Sequence, residues 1–303
     1  MACLSGSDRS GVAAVLVASV LIGTTGAAHQ LGPAGVTAME AAAVRAAVGS
    51  AAMVALTART LRLETVRRHA GLLAASAAAL AVLLPGFFVA NARLGVAVGS
   101  VLAIGTGPLF AGLAEWVLGT APGRRWVFAT AVAVAGVGLM SCARAGAGGG
   151  GVDAVGVGAG VLSGAGFGVF LIALRRLADR GASSGEVMTW AYLFGSIPLV
   201  ATLLADPPRW VTSPAGMRTA LYLGVVTVGL AYWLLGRGLA RMRPSTAATL
   251  SLAEPVTATA IGVVVLDETL TSAGWVGVSL VLVGLASTGT DQQLAADAAV
   301  ATR

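Results

Sequence analysis

Lysine is missing from this chain altogether: all nineteen basic residues are arginine. Charge of either sign is scarce, at 11% of residues against 57% hydrophobic, whereas a soluble domain is about a quarter charged. That shortage excludes an ordinary soluble globule, and the apolar content excludes intrinsic disorder. Cysteine occurs only as Cys3 and Cys142, which make neither a disulfide framework nor a CxxC metal site. His29 and His69 lack metal-ligand spacing. No GxSxG or HExxH motif occurs, and the GxGxxG match at Gly146–Gly151 is a low-complexity run with no strand before it. No catalytic residue, cofactor or metal is therefore expected.

What the chain has is long apolar runs. A spanning helix needs ~20 mostly apolar residues. Ten candidates occur, at about 11–29, 36–57, 69–90, 94–118, 126–142, 154–174, 186–205, 216–236, 244–266 and 273–290. None alternates as a membrane-barrel strand would, so the reading is an all-α polytopic membrane protein. The third and fourth runs nearly fuse around Asn91-Ala92-Arg93. The first imitates a signal peptide, with Arg9 before it and Gly26-Ala27-Ala28 behind. It is long enough to span and belongs to a repeat, so it is expected to be retained.

The net charge of +6 is an orientation signal. With both termini cytoplasmic, fourteen arginines fall inside and four outside (Arg93, Arg144, Arg209 and Arg218), with Arg45 left inside a span. This positive-inside split supports an even number of spans, a multi-pass cell-membrane location and no role in nucleic-acid binding.

The chain repeats itself. LAIGTGPLFAGLAEWVLGTAPGRRWV surrounds Pro108 and LSLAEPVTATAIGVVVLDETLTSAGWV surrounds Pro255. Both carry a mid-span proline, a span end about eleven residues later and a short turn into Trp126-Val127 or Trp275-Val276. The halves run from 1 to 145 and from 152 to 290, joined by a glycine-rich linker at 146–151 and followed by a cytoplasmic tail at 291–303. Five spans per half is an odd number, so the second half must enter upside down. Inverted repeats are a common construction of secondary transporters.

The second half resembles the EamA branch of the drug/metabolite transporter superfamily, through LAEPV at Leu252–Val256 and LDETLT at Leu266–Thr271. The first half agrees more loosely, through GTTG at Gly23–Gly26, the mid-span Arg45 and GTGPLFAGL. It departs at Thr120, where the family usually has a glutamate. The resemblance implies ten helices in two inverted five-helix repeats. Spans one to four and six to nine would line a cavity, and spans five and ten would lie outside it. It implies transport of a small molecule without specifying which.

Ionisable groups inside a span cost ~2.5–3.5 kcal/mol each on insertion scales and usually face a cavity or a partner. Arg45 and Glu254 lie ~13 and ~15 Å deep at 1.5 Å rise per residue, one in each half. Arg45 stays charged and must find an acceptor, either Glu254 or an anionic group on a substrate. A permanent structural pair is the equal alternative. Glu40 and Glu115 lie near span ends, where snorkelling explains them. Ser183-x-x-Glu186 reads as a capping box, and Asp267 and Glu268 as structural residues at a helix end.

Pro85, Pro108, Pro198 and Pro255 interrupt spans, and the matched pair Pro108/Pro255 points to the pathway. Gly156, Gly160, Gly164 and Gly168 form a stripe on span six, with a milder version at Ser19, Gly23 and Ala27 on span one; such stripes admit a close helix neighbour. Trp190, Tyr192, Tyr232 and Trp233 could stack on a substrate or equally face lipid. Trp126, Trp210 and Trp275 read as an interfacial belt. The expectation is a carrier that moves a small metabolite or drug-like solute, as an exporter, by alternating access. Glu254 is its candidate proton-coupling group, and homodimerisation is left open. The alternative is a non-transporting membrane scaffold or membrane-embedded enzyme.

Overall fold

The computed structural model describes residues 6–145, 153–205, 207–267 and 270–301. The glycine-rich stretch 146–151 and Glu268 lie outside them. The described residues form helices and no strand. In chain order these are α1 (Gly6–Gly23), α2 (Thr25–Gln30), α3 (Ala38–Thr57), α4 (Leu63–Arg68), α5 (Ala70–Ser100), α6 (Gly107–Val117), α7 (Arg124–Ala145) and α8 (Ala154–Asp179). There follow α9 (Ser184–Gly195), α10 (Ile197–Ala205), α11 (Pro214–Leu221), α12 (Ala231–Leu239), α13 (Pro244–Leu250), α14 (Ala253–Val265) and α15 (Ser272–Ala301). Two π-helical segments, Val101–Gly105 and Tyr222–Leu230, connect α5 to α6 and α11 to α12.

Among the described residues, six segments are long and apolar enough to cross a membrane: Ser10–Gln30, Met39–Thr57, Ala70–Leu94, Ala154–Asp179, Pro214–Leu239 and Pro244–Val265. A seventh is added if Ser184–Gly195 and Ile197–Ala205, bent by 43°, count as one span. Leu102–Val117 and Ser272–Ser287 are shorter apolar helices. The protein is thus a multi-pass membrane protein. The remaining sequence-predicted spans fall on α6, α7 and α15.

Packing is built on small residues, as it must be where lipid is as apolar as leucine and helices gain little from burying apolar surface. A Cβ on Gly166 would come within 2.7 Å of the Ala79 carbonyl, and one on Gly156 within 2.7 Å of Leu94. These registers run in opposite directions, so α5 and α8 are antiparallel. Gly160 meets Leu102, and Gly168 meets Ala111 and Phe110, so the segment through α6 runs parallel to α8. The chain therefore reverses between Leu94 and Gly99, and Gly99 folds back on Ala90 and Asn91. The sequence-predicted glycine stripe of span six is the face that receives this hairpin.

The same logic orients the other helices. Gly11 lies against Arg241, and Gly238 against Val15, making α1 and α12 antiparallel. Gly224 contacts Val48 and Gly229 contacts Ala52, so α3 and the π-helical segment run parallel. Thr57 pairs with Thr189 at 3.0 Å and Ser50 with Ser196 at 3.1 Å, setting α3 antiparallel to α9. Gly136 rests on Gly277, and Gly284 on Ala129, setting α7 antiparallel to α15. At the end away from the arginine clusters, Asp153 caps α8 and lies 3.3 Å from Arg93. The Gly156 N–H, above all, holds its carboxyl below the usual range.

Three acidic side chains behave differently from their sequence reading. Glu115 does not snorkel: it is buried, and its carboxylate accepts from Ser245 N at 2.9 Å and Ser245 Oγ at 2.8 Å. Pro244 opens α13 and has no N–H, so Ser245 supplies the first helix donor, which a carboxylate satisfies well. Glu186 makes no capping box, because the Ser183 side chain caps nothing; the buried Glu186 carboxylate instead accepts from Arg62 N at 2.6 Å. Glu40 forms the box, reciprocally with Thr37. Trp126 is no belt residue either, being buried over Gly112. Asp267 takes a positive φ of 53° just past α14.

Mutational outcomes follow at three positions. A Cβ at Gly164 would run into the Thr106 hydroxyl, so Gly164→Ala should cost ~1–3 kcal/mol through overpacking. Gly158, in the same helix, has nothing within 4 Å, and Gly158→Ala should gain ~0.5–1 kcal/mol. Thermal unfolding in detergent reads both signs. Glu115→Ala strands the Ser245 N–H and should cost ~1–3 kcal/mol, whereas Glu115→Gln keeps an acceptor and should lose less.

Candidate functional site

Pro85 lies inside the unbroken helix α5, whereas the Pro108 and Pro255 spans are both broken just before the proline. In one, the π-helical turn ends at Gly105, and Pro108 sits in the first turn of α6, where a missing N–H is tolerated. In the other, α13 ends at Leu250, and Pro255 lies in the first turn of α14. The carbonyl that Pro255 has no N–H to serve, Ser251 O, accepts instead from Glu254 N at 3.0 Å, and hydroxyls near both breaks add bonds to carbonyls of the preceding turn: Thr106 Oγ1 donates to Leu102 O, Ser251 Oγ to Ala247 O at 2.9 Å and Thr257 Oγ1 to Ala253 O at 2.9 Å. Local donors of this kind are what make a broken helix tolerable in lipid.

Each break lies against a glycine of another helix. Gly164 of α8 meets Thr106 and the Ala103 carbonyl. Gly23 of α1 leaves room for the Glu254 carbonyl and for Thr257, each within 2.7 Å of where a Cβ would be. The two glycine-bearing helices named from the sequence thus abut the two proline spans.

Between the breaks lies a cavity of about 80 Å³, lined by Arg45, Tyr232, Glu254, Ser163 and Ser251 with an apolar wall that includes Ile22, Leu83, Leu84, Phe87, Phe88, Ala103, Ile104 and Phe167. Arg45 and Glu254 share it, yet no ion pair within 4.0 Å joins them among the described residues. Arg45 Nη2 donates to Thr227 O at 3.2 Å, in the π-helical segment, and Arg45 Nε is buried with no partner. π-Helical turns concentrate at functional sites. Glu254 has no hydrogen-bond partner for its carboxylate among the described residues and is half-buried.

The aromatic candidates separate. Tyr232 lines the cavity. Tyr192 stands behind it, ring to edge at 4.9 Å, and is fully enclosed. Trp190 stacks on Phe194 at 5.4 Å with its indole N–H unpartnered, and Trp233 lies 4.7 Å beneath the Arg237 guanidinium; neither reaches the cavity. Sequence reasoning missed Phe87, Phe88, Phe167, Ser163 and Ser251. The Pro85-Gly86 pair just ahead of Phe87 was the available signal, since Gly86 lets α5 approach Ser163 of α8. No group of three metal-ligating side chains occurs among the described residues.

The arrangement offers an acceptor-seeking cation and a carboxylate, a few side chains apart, in an apolar chamber between two broken helices. Residues 154–290 match the EamA-like transporter family. An uncharacterized transporter of Bacillus subtilis (strain 168), YwfM, is 34% identical over 272 residues, which cover 89% of this chain and 90% of that one. A solved crystal structure shares the fold with a TM-score of 0.78 at 21% identity, covering 92% of this chain and 96% of the other. The chain belongs to the EamA-like transporters of the drug/metabolite transporter superfamily.

Proposed function

We propose that this protein is a secondary transporter of the cell membrane that exports a small metabolite or drug-like solute by alternating access between two inverted five-helix halves. Ten passes with both termini cytoplasmic are supported by the helix directions: every register described above has the sense that ten alternating passes require. The halves are supported by matched pairings. Helix α1 packs on α12 as α8 packs on α5, and α1 meets the second proline span as α8 meets the first. The fourteen-to-four arginine split supports the orientation.

The observation that carries the transport reading is the cavity shared by Arg45 and Glu254 without a bond between them. A permanent structural pair would be expected to close to contact, because each charge left unpaired in a span is costly. Both are instead held ready: Arg45 by a single carbonyl, Glu254 by nothing but its helix. Arg45 is the group for an anionic moiety of the solute, Tyr232 and the phenylalanines receive its apolar body, and Glu254 is the coupling carboxylate. A cavity of about 80 Å³ is far below the ~300–1,000 Å³ of ordinary ligand sites, so the state described is closed around its polar residues and must widen to load. Gly23, Gly160 and Gly164, at the contacts with the broken spans, and Pro108 and Pro255 are the hinge positions for that movement.

Purified protein in liposomes, screened for uptake and efflux of amino acids, sugars and amphipathic drugs with and without a pH gradient, tests this. Arg45→Ala should lower transport about tenfold or more, as expected for losing a charged hydrogen bond. Glu254→Gln should abolish acceleration by the pH gradient. Normal transport by both variants at normal expression would sink the assignment. Cysteines placed along α6 and α14 beside Pro108 and Pro255 should react with aqueous reagents on one helical face, and uniform protection would refute the pathway.

A further inference from the structure

A second, much larger cleft of about 1090 Å³ opens at the arginine-rich end, away from the Arg45 cavity. It lies between the α6–α7 turn, the last turns of α8 and the α12–α13 turn. Six arginines line it: Arg124, Arg125, Arg175, Arg176, Arg241 and Arg243. Two carboxylates share the lining, and both are occupied. Glu115 is held by Ser245, and Asp179 pairs with Arg175 at 3.0 Å. Arg175 is committed further, donating to the carbonyls of Leu239, Ala240 and Met242, so it braces the wall. Among the described residues the other five arginines take part in no ion pair.

Positive-inside topology explains arginines at this end, but not their placement around a concave site. Arg124 and Arg125 occupy the first turn of α7, the pole of a helix where positive charge is least favourable. The first backbone N–H of α7 to find a helical partner is that of Val127, on Gly123, so the preceding donors have no intrahelical acceptor. Trp126 also lines the cleft, is 8% exposed, and has its indole N–H unpartnered. A bound anion would answer the first two of these features, since an anion at a helix N-terminus takes up free N–H groups and opposes nearby cations.

The surface beside the cleft identifies the anion's source. Leu113, Trp116 and Val117 on α6 and Val127 and Phe128 on α7, the helices that flank the cleft's α6–α7 turn, are all more than half exposed and offer an apolar surface next in sequence to the lining residues Leu118 and Trp126. A soluble anion would use the arginines alone, whereas a phospholipid carries a phosphate for the cleft and acyl chains for the apolar surface. Basic pockets between spanning helices are a recognised way to hold lipid headgroups. We propose that this cleft binds phosphate, supplied by the headgroup of an anionic phospholipid, through Arg124, Arg125, Arg176 and the first-turn N–H groups of α7. The site is independent of the transport reading and goes beyond it.

The full chain, purified in neutral detergent, is titrated with phosphatidylglycerol, phosphatidylcholine or inorganic pyrophosphate and read by native mass spectrometry and thermal unfolding. Phosphatidylglycerol should bind in a discrete number and raise the unfolding temperature, while phosphatidylcholine should do neither. Arg124→Gln, Arg125→Gln and Arg176→Gln should each weaken phosphatidylglycerol binding roughly fivefold, and the triple variant on the order of a hundredfold, from about 1 kcal/mol per arginine. Arg59→Gln and Arg218→Gln, which remove the same charge elsewhere, should leave it unchanged. Equal binding of the two lipids, equal losses in the control variants, or stabilisation by pyrophosphate without stabilisation by phosphatidylglycerol would each overturn the proposal. Should the triple variant fail to fold, the ratio of the two lipids bound by Arg176→Gln decides between the same outcomes.

Discussion

A helix interrupted inside a membrane must find partners for its freed backbone groups, because lipid supplies none. Much of this structure follows from meeting that requirement twice. At Pro255 the Ser251 carbonyl is taken up locally by the Glu254 N–H, and hydroxyls add bonds in the turns before both prolines, but such local bonds alone would leave the broken turns facing hydrocarbon. Gly164 and Gly23 let neighbouring helices close over them. The small-residue composition of the chain is therefore a structural necessity: without a strong hydrophobic force between helices in lipid, close backbone approach and packing are what hold the breaks shut.

Once the breaks are enclosed, the polar chemistry has only a few places to go. Arg45 is held by the Thr227 carbonyl within a π-helical segment, so a departure from regular helix on one span receives a charge from another. The far end of the bundle is tied by a different device, buried carboxylates that take backbone N–H groups: Glu115 on Ser245 and Glu186 on Arg62. These contacts join segments distant in sequence at the arginine-rich end, whereas the Arg45 cavity is left without such ties. In the carrier proposed above, the ties would have to yield when access switches sides, while the locally bonded breaks stay intact.

How far the site was legible in the sequence depended on cost. Arg45 and Glu254 stood out because a charge in an apolar run is expensive enough to need a reason. The glycine stripe of α8 was equally visible, since four-residue spacing survives any error in span boundaries. Phe87, Phe88 and Phe167 could not be read, because a phenylalanine in an apolar run looks the same whether it faces lipid or a cavity. Glu115 and Glu186 were misjudged for another reason: nearness to a span end suggested water for Glu115 and a local capping pattern suggested Ser183 for Glu186, but their partners lie 130 and 124 residues away. Local spacing cannot report a contact of that range. Even the reversal after Leu94 was visible only as two runs that nearly fused.

The two proline segments also differ in what they bring to the cavity. The residue before Pro255 is Glu254, whose carboxylate reaches the cavity; the residue before Pro108 is Gly107, which has no side chain at all. The space a Cβ would take at Gly107 is filled by the Phe167 ring, 2.7 Å from that position, and Phe167 belongs to the cavity wall. One break thus contributes a charge and the other accepts a ring from α8. Introducing a second carboxylate at Gly107 would require displacing Phe167, so the asymmetry is enforced by packing as well as by sequence. In the carrier proposed above, a cavity with one cation from α3, one carboxylate from α14 and an aromatic wall would distinguish the two ends of a solute.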